Sequence, residues 1–248
     1  MPTGYCTLED VRRALRQSDL PGDLSQDKQI AVDAVVAQTE ELGKNLKRHW
    51  YAETGAAILD EATTVDIPTG PKSRDDEESI PTGGAFLAGD APEPKTWQGS
   101  YTRLDLDRRD AESVEELLVR DRDGGYTDWV TDTDYSGGTW PDALGEDYVL
   151  RVNNGGYSVL YLDTENFLKE DEDDEYYLES FANAVYVTFS FGHSGIPQTF
   201  RRAVALRAAA EFTEEASVEI PENETVYGVE TKADKMRDRA EELLEVYR

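Results

Sequence analysis

Val185, Val187, Phe189 and Phe191 alternate with Tyr186, Thr188 and Ser190. A period of two in β-branched and aromatic residues predicts a strand with one buried face, and Gly192 ends it. Ile196-Pro197 restarts the backbone, with the proline expected inside the first helical turn, where a missing N–H leaves nothing unpaired. From Phe200 to Phe212 the residues Ala203, Val204, Ala205, Leu206, Ala208, Ala209 and Ala210 are apolar on most sides of a helix. Such a helix is packed on several faces, and it is expected at the centre of a small helical body.

The two ends of the chain also read as helices. Thr7 with Asp10 three residues on is a capping-box variant, with Cys6 and Val11 at the staple positions. It predicts a first helix to about Arg16 with Leu8, Val11 and Leu15 on one face. Leu20-Pro21-Gly22-Asp23 is a turn. Ser25 is placed to cap a second helix over 26–50, on which Ile30, Ala34, Val35, Leu42 and Leu46 form a stripe. At the far end Ala233, Met236, Ala240, Leu243, Leu244 and Tyr247 fall on one helical seam, capped by Thr231 and Asp234. A slack segment, 214–230, with Pro221 and Gly228 joins it to the central helix. Two uses of that seam stay open: it closes the chain's own bundle, or it reaches a partner.

Between these ends the pattern shortens. Residues 66–96 are rich in proline, glycine and charge, including Arg74-Asp75-Asp76-Glu77-Glu78, and are expected to form a flexible loop or arm. Short strands are expected over 101–106, 114–119, 126–130, 148–152, 159–162 and 185–191. Asp123-Gly124-Gly125 and Asn153-Asn154-Gly155-Gly156 supply residues that tolerate positive φ at hairpin turns. This predicts an α+β fold. Residues 1–60 and 192–248 form a discontinuous helical bundle, 97–191 are an inserted antiparallel β barrel or sandwich, and 229–248 are a C-terminal amphipathic helix.

The chain has 248 residues, so a sizeable core is available without crosslinks, and its single cysteine, Cys6, cannot form an intrachain disulfide. Cys6 is expected half-buried beside the first helix. No apolar run approaches the length of a membrane span and no export signal pattern stands at the N-terminus, so a protein without a membrane partner is expected. The formal net charge is −28, from 53 acidic and 25 basic residues. Such a chain repels itself in dilute salt but is screened in molar salt, where the Debye length is about 3 Å. Acid richness with few lysines is the balance expected of an extreme halophile. The rival is an acidic protein that binds cations or basic partners. Either way the charge argues against tight non-specific DNA binding, while DNA sliding past a carboxylate-rich wall remains compatible with it.

Catalytic chemistry is not expected, nor a cofactor. His49 and His193 stand at the ends of predicted elements with no motif around them and read as turn or surface residues, and no phosphate loop, Gly-x-Ser-x-Gly or His/Cys metal cluster occurs in the sequence. Asp128, Asp132 and Asp134 before Gly137-Gly138 are weak candidates for a hard-cation site, weighed against a hydrated acidic loop. The acidic run Glu170–Glu175 reads as a solvated loop.

Phe191-Gly192, Ile196-Pro197 and Arg201-Arg202-Ala203, with the opening 5–15 of Tyr5-Cys6-Thr7-Leu8-Glu9-Asp10-Val11-Arg12-Arg13-Ala14-Leu15, resemble the head-to-tail connector proteins, or neck adaptors, of tailed viruses. The composition adds a virus of a halophilic archaeon. The resemblance implies a structural protein of the virion neck, made in the host cytoplasm. It would assemble as a ring, a dodecamer if it follows the family, that lengthens the DNA channel under the portal and docks the next neck or tail component. It implies a portal or subunit contact through the seam Ala233, Met236, Ala240, Leu243, Leu244 and Tyr247, and pairing of Arg201 and Arg202 across a subunit boundary, against ordinary intrachain pairing. The alternatives are a stopper or tail terminator, or a sugar- or cation-binding β module of a halophile.

Overall fold

The structure, a computed structural model, describes residues 2–24, 27–53, 65–78, 101–120, 125–163, 185–216 and 226–248. Ser25, Pro221, the 79–96 part of the expected arm, the Asp123-Gly124 turn and the Glu170–Glu175 run lie outside them. The fold is α+β, and it divides into two compact units, Met1–Gly70 with His193–Arg248, and Pro71–Gly192.

The first unit is helical. Helix α1 (Leu8–Gln17) begins at the capping box, in which Thr7 Oγ1 accepts from the Asp10 N–H and the Asp10 carboxylate accepts from the Thr7 N–H. Helix α2 (Lys28–Leu46) ends four residues before Trp50, because Lys47 turns left-handed at φ 55°. The Arg48 N–H then closes on the Gly43 carbonyl at 3.2 Å, the αL stop that satisfies the last carbonyls of a helix. The chain leaves as the two-residue strand β1 (Trp50–Tyr51), which pairs in parallel with His193–Ser194.

Helix α3 (Gln198–Glu215) is buried on nearly every side, and α1, α2 and α4 (Val226–Leu244) all pack on it. Its alanines, Ala203, Ala208, Ala209 and Ala210, are fully covered. Small side chains let three helices approach one backbone. Pro197 stands at the N-cap and not inside the first turn. Its φ of −59° suits either place, but its ψ of 136° is extended, and its carbonyl accepts from the Arg201 N–H at 2.9 Å. Helix α4 starts at Val226, ahead of the expected cap: Thr231 lies inside it and its hydroxyl donates back to the Tyr227 carbonyl at 2.8 Å.

The second unit packs two four-stranded sheets face to face. Taking the strands in chain order, β2 is Lys72–Glu78, β3 Tyr101–Arg109, β4 Ala111–Arg120, β5 Tyr126–Asp128, β6 Gly137–Thr139, β7 Tyr148–Val152, β8 Tyr157–Asp163, β9 Val185–Phe191 and β10 His193–Ser194, the last belonging to the first unit. One sheet has the order β2-β9-β4-β5 and the other β3-β8-β7-β6. Leu117, Val119, Val187 and Phe189 from the first meet Leu104, Leu150, Leu160 and Leu162 from the second in one core. This is a sandwich, and among the described residues no closed barrel is present.

Two expectations for this unit need correction. The charged run after Ser73 belongs to an edge strand, β2, antiparallel to β9 with Arg74 opposite Phe189. Main-chain bonding to an already formed neighbour makes the strand, and an edge position leaves a charged side chain such as Asp75 in water. The module is also not wholly antiparallel: β6 pairs with β7 in parallel, after the chain loops back through 140–147. Gly137 is required there, since a Cβ would lie 2.4 Å from the Tyr148 ring. That loop, through Ala143 and Trp140, covers the second face of the sheet over Tyr101, Val149, Val159 and Tyr161. Strand β8 is therefore buried on both faces, which accounts for its uninterrupted apolar run. The Asn153 to Gly156 turn forms as expected, with φ of 89° at Gly155 and 84° at Gly156.

Candidate functional site

The aromatic centre of the helical unit sets the positions of the termini. Trp50 lies against Phe200 with ring centroids 3.9 Å apart, Tyr5 meets both edge-on, and Tyr247 caps the pair at 5.9 Å from Trp50 and 5.5 Å from Phe200. The Tyr5 hydroxyl accepts from the Trp50 N–H at 3.4 Å and lies 3.0 Å from His49 Nδ1. His49 Nε2 is 3.0 Å from the Gly70 carbonyl, which can only accept. A neutral imidazole with its proton on Nε2 satisfies the whole chain, Tyr5 donating to Nδ1. Burial pushes the Tyr5 phenol up to about 12, with the Trp50 N–H pulling it down. His49 is thus a buried structural residue, 2 % exposed, and not a turn or surface histidine, whereas His193 is exposed. Cys6 is fully buried, beyond the half-burial expected, and burial raises its thiol pKa well above the ordinary range. It has no thiolate chemistry to offer.

The terminal seam faces inward. Ala233, Met236, Ala240 and Leu244 are buried against α3, while Leu243 and Tyr247 are partly buried on the same core. Of the two uses open to it, this chain's own bundle takes up Ala233, Met236, Ala240 and Leu244, while Leu243 and Tyr247 keep part of their surface exposed. The reason lies in α3, which is apolar on most sides and needs α4 as a third wall beside α1 and α2. Arg201 is likewise engaged within the chain, with Asp10 at 2.6 Å, and Arg202 donates to Gln17 Oε1 at 3.4 Å.

Asp128, Asp132 and Asp134 do not converge on a cation, and among the described residues no group of His, Cys, Asp and Glu is placed to hold a metal ion. Asp128 Oδ1 accepts from the Leu117 and Val130 N–H groups at 3.0 and 3.1 Å, and Oδ2 from the Thr131 hydroxyl at 2.7 Å. Asp132 Oδ1 accepts from the Asp134 N–H at 3.0 Å. Partial burial opposes ionisation of Asp128, but the donors from Leu117, Thr131 and Val130 outweigh it and hold its pKa below the ordinary carboxylate value. These carboxylates organise a turn.

A basic cleft of about 350 Å³ lies between the end of α1, α3 and α4. Arg202, Lys232, Lys235 and Arg239 line it, with Leu206 and Met236 among them and Asp19 as the one acid. Lys232, Lys235 and Arg239 fall at i, i+3 and i+7, one position ahead of Ala233, Met236 and Ala240 in the seam. This spacing puts them in a single stripe along its border. It was readable in the sequence but is masked there by the overall acidity. The concave site is made by Arg202 from α3, thirty residues away in sequence from Lys232, and only the helix packing brings it in. No described helix is long and apolar enough to cross a membrane.

No protein-family model matches the sequence, and no curated protein matches it. Among solved structures, a chain from the virion of a native gene transfer agent particle aligns over 94 % of this chain and 89 % of that one, with 11 % identity and a TM-score of 0.45. A likeness of that degree carries no functional assignment.

Proposed function

We propose that this protein is a structural component of a virion, a head-to-tail adaptor that assembles as a ring beneath the portal, extends the DNA channel and docks the next neck or tail component. The supporting observation is the run from β9 to α3, where the sequence resemblance to connectors lies. Its strand is flanked on both sides by partners in one sheet of the β unit, and its helix is the hub of the helical unit. One continuous segment therefore organises both units, so they are built around the same few residues that carry the resemblance.

The work in this reading is geometric and has no covalent step. The acid-rich surface suits a wall past which a duplex slides, since it offers few cations to exchange with phosphate counterions. The C-terminal helix serves the adaptor as part of its rigid body, and contacts with neighbours fall to exposed surfaces.

Mixing the full-length protein with portal rings in molar salt and imaging the product by electron microscopy tests the proposal. A ring of this protein seated coaxially on the portal is the expected result. Portal rings that stay bare at saturating protein would overturn it and move a stopper, tail terminator or ligand-binding β module ahead.

A further inference from the structure

The chain passes from the helical unit to the β unit at Gly70-Pro71 and returns at Gly192-His193. On the helical side both passages are held by the segment 49–52. Going out, the His49 imidazole donates to the Gly70 carbonyl at 3.0 Å, and the Ala52 N–H donates to the Pro68 carbonyl at 2.8 Å. Coming back, the His49 carbonyl accepts from the His193 N–H at 2.9 Å, and the Tyr51 carbonyl accepts from the Gly195 N–H at 2.8 Å. His49 therefore joins the two passages, one through its side chain and the other through its main chain. The segment is itself rooted, because Trp50 is buried against Tyr5 and Phe200.

Within the β unit the same two passages also start and end side by side. Lys72 stands opposite Phe191 in the antiparallel pair of β2 and β9, and the Gly192 N–H donates to the Asp110 carbonyl at 2.8 Å. The consecutive N–H groups of Gly192 and His193 thus belong to different units. The chain left between the two sets of bonds is Pro71 on the way out and the Gly192–His193 peptide on the way back. A glycine stands at each step. At Gly70 packing does not demand one, since a Cβ there would meet nothing within 4 Å, so what it supplies is backbone freedom. A few such positions at the ends of elements, able to absorb changes in φ and ψ, are what a hinge consists of.

We infer that the two passages form a hinge for the β unit and that His49 is its pin. With the pin in place the passages stay side by side, so the β unit bends about one line and resists twisting. With the pin out they separate, and the β unit turns freely. The four bonds of this clasp lie where Tyr51 and Ala52 are half-buried and His193 and Ser194 are exposed. Such a site opens locally, without either core unfolding.

The hinge is tested on the full-length protein alone, by hydrogen exchange and by distances, so its failure leaves the portal experiment standing. His193→Pro removes the N–H that the His49 carbonyl holds, at an exposed position outside the core. Because the clasp opens as a unit, the Ala52 N–H on the outgoing side is then expected to exchange about tenfold faster or more, with Val187 in β9 and Ala208 in α3 unchanged. His49→Leu cuts the outgoing side instead and is expected to do the same to the His193 and Gly195 N–H groups. Spin labels on Glu40→Cys in α2 and Asn154→Cys in the β unit, both exposed, read the distance distribution between the units, while the fully buried Cys6 stays unlabelled. The distribution in His193→Pro is expected to be about twofold broader than the parent's or more. An Ala52 N–H that keeps its rate in His193→Pro means two separate contacts and overturns the clasp. Equal widths in parent and variant overturn the pin. Faster exchange at Val187 and Ala208 alongside Ala52 means ordinary destabilisation and overturns it too.

Discussion

Arg201 places both Nε and Nη2 on the same oxygen of Asp10, at 2.7 and 2.6 Å. That oxygen also accepts from the Thr7 N–H at 2.9 Å and the Thr7 hydroxyl at 3.0 Å. A cap that belongs to α1 by sequence is therefore clamped to α3 by an arginine 191 residues away. The two ends of the chain are joined at a helix start, where an anion is favoured by the unpaired N–H groups.

Asp10→Ala is expected to lose the cap and leave a partly buried guanidinium without its partner, at a cost of about 2–4 kcal/mol. Arg201→Ala alone costs less, about 1–2 kcal/mol, because the capping box survives it. Urea unfolding of the two single variants and the double variant measures the coupling, and additive losses would show that the clamp is not cooperative.

The C-terminal seam is expected to behave as core. Met236→Glu should destabilise the helical unit by about 3 kcal/mol or more, whereas the exposed neighbour Lys235→Glu stays within about 0.5 kcal/mol. A chain ending before Thr231 uncovers α3, so hydrogen exchange should speed up in Ala203 to Phe212 and not only at the new end. Protection of α3 retained in that truncation would contradict the packing described.

Glu211 accepts from Gln38 Nε2 at 2.7 Å, while Gln38 Oε1 is buried with no hydrogen-bond partner among the described residues. Burial, with Glu215 and Glu41 adding to it, raises the Glu211 pKa against the pull of Gln38 and Arg207. An acid with a raised folded pKa favours the fold below its unfolded value, about 4.3, and loses that contribution as pH rises through the folded one. Glu211→Gln is therefore expected to raise the melting temperature at pH 7 and give little gain at pH 4. Its amide also offers a donor that Gln38 Oε1 lacks. A variant no more stable at pH 7 would refute the assignment.

Asp128 has the opposite sign. Its pKa is lowered in the fold, so its contribution is present above the unfolded value of about 3.9 and disappears as pH falls through the folded one. Asp128→Asn should be less stable than the parent at pH 7, with the gap closing below about pH 4. Chemical denaturation at pH 7 and pH 3 reads the difference, and a gap independent of pH would show that charge plays no part in the turn.

Replacing the Tyr5 hydroxyl, as in Tyr5→Phe, leaves the buried Trp50 N–H and His49 Nδ1 without it, at a cost of about 1–3 kcal/mol. The loss is read in thermal unfolding, and a neutral result would mean that another donor serves His49.

Much of the chain was legible because its causes are local. The capping box at Thr7, the strand at Val185–Phe191 and the turn at Gly155-Gly156 each depend on residues a few positions apart, and each forms where the pattern placed it. Strand β2 was illegible because its side chains carry no hydrophobic alternation; only the neighbouring β9 makes it a strand. The end of α2 was illegible because a left-handed lysine has no sequence signature comparable to glycine. His49 was misplaced because a polar ring becomes a core residue only when two distant groups, the Tyr5 hydroxyl and the Gly70 carbonyl, meet it.

The sequence by itself determined that this is an α+β chain with helical ends and a β-rich middle, that α3 is covered on nearly every side, and that the surface is overwhelmingly acidic. Those follow from periodicity and composition, which require no knowledge of neighbours. Tertiary structure alone decided what covers α3, where Arg201 points, why the aspartates at 128, 132 and 134 shape a turn, and which cations gather in the cleft. The physical reason is that apolar burial is non-directional: a seam states that it will be covered without stating by what, and a charged side chain acquires its role only from the groups that folding brings within reach.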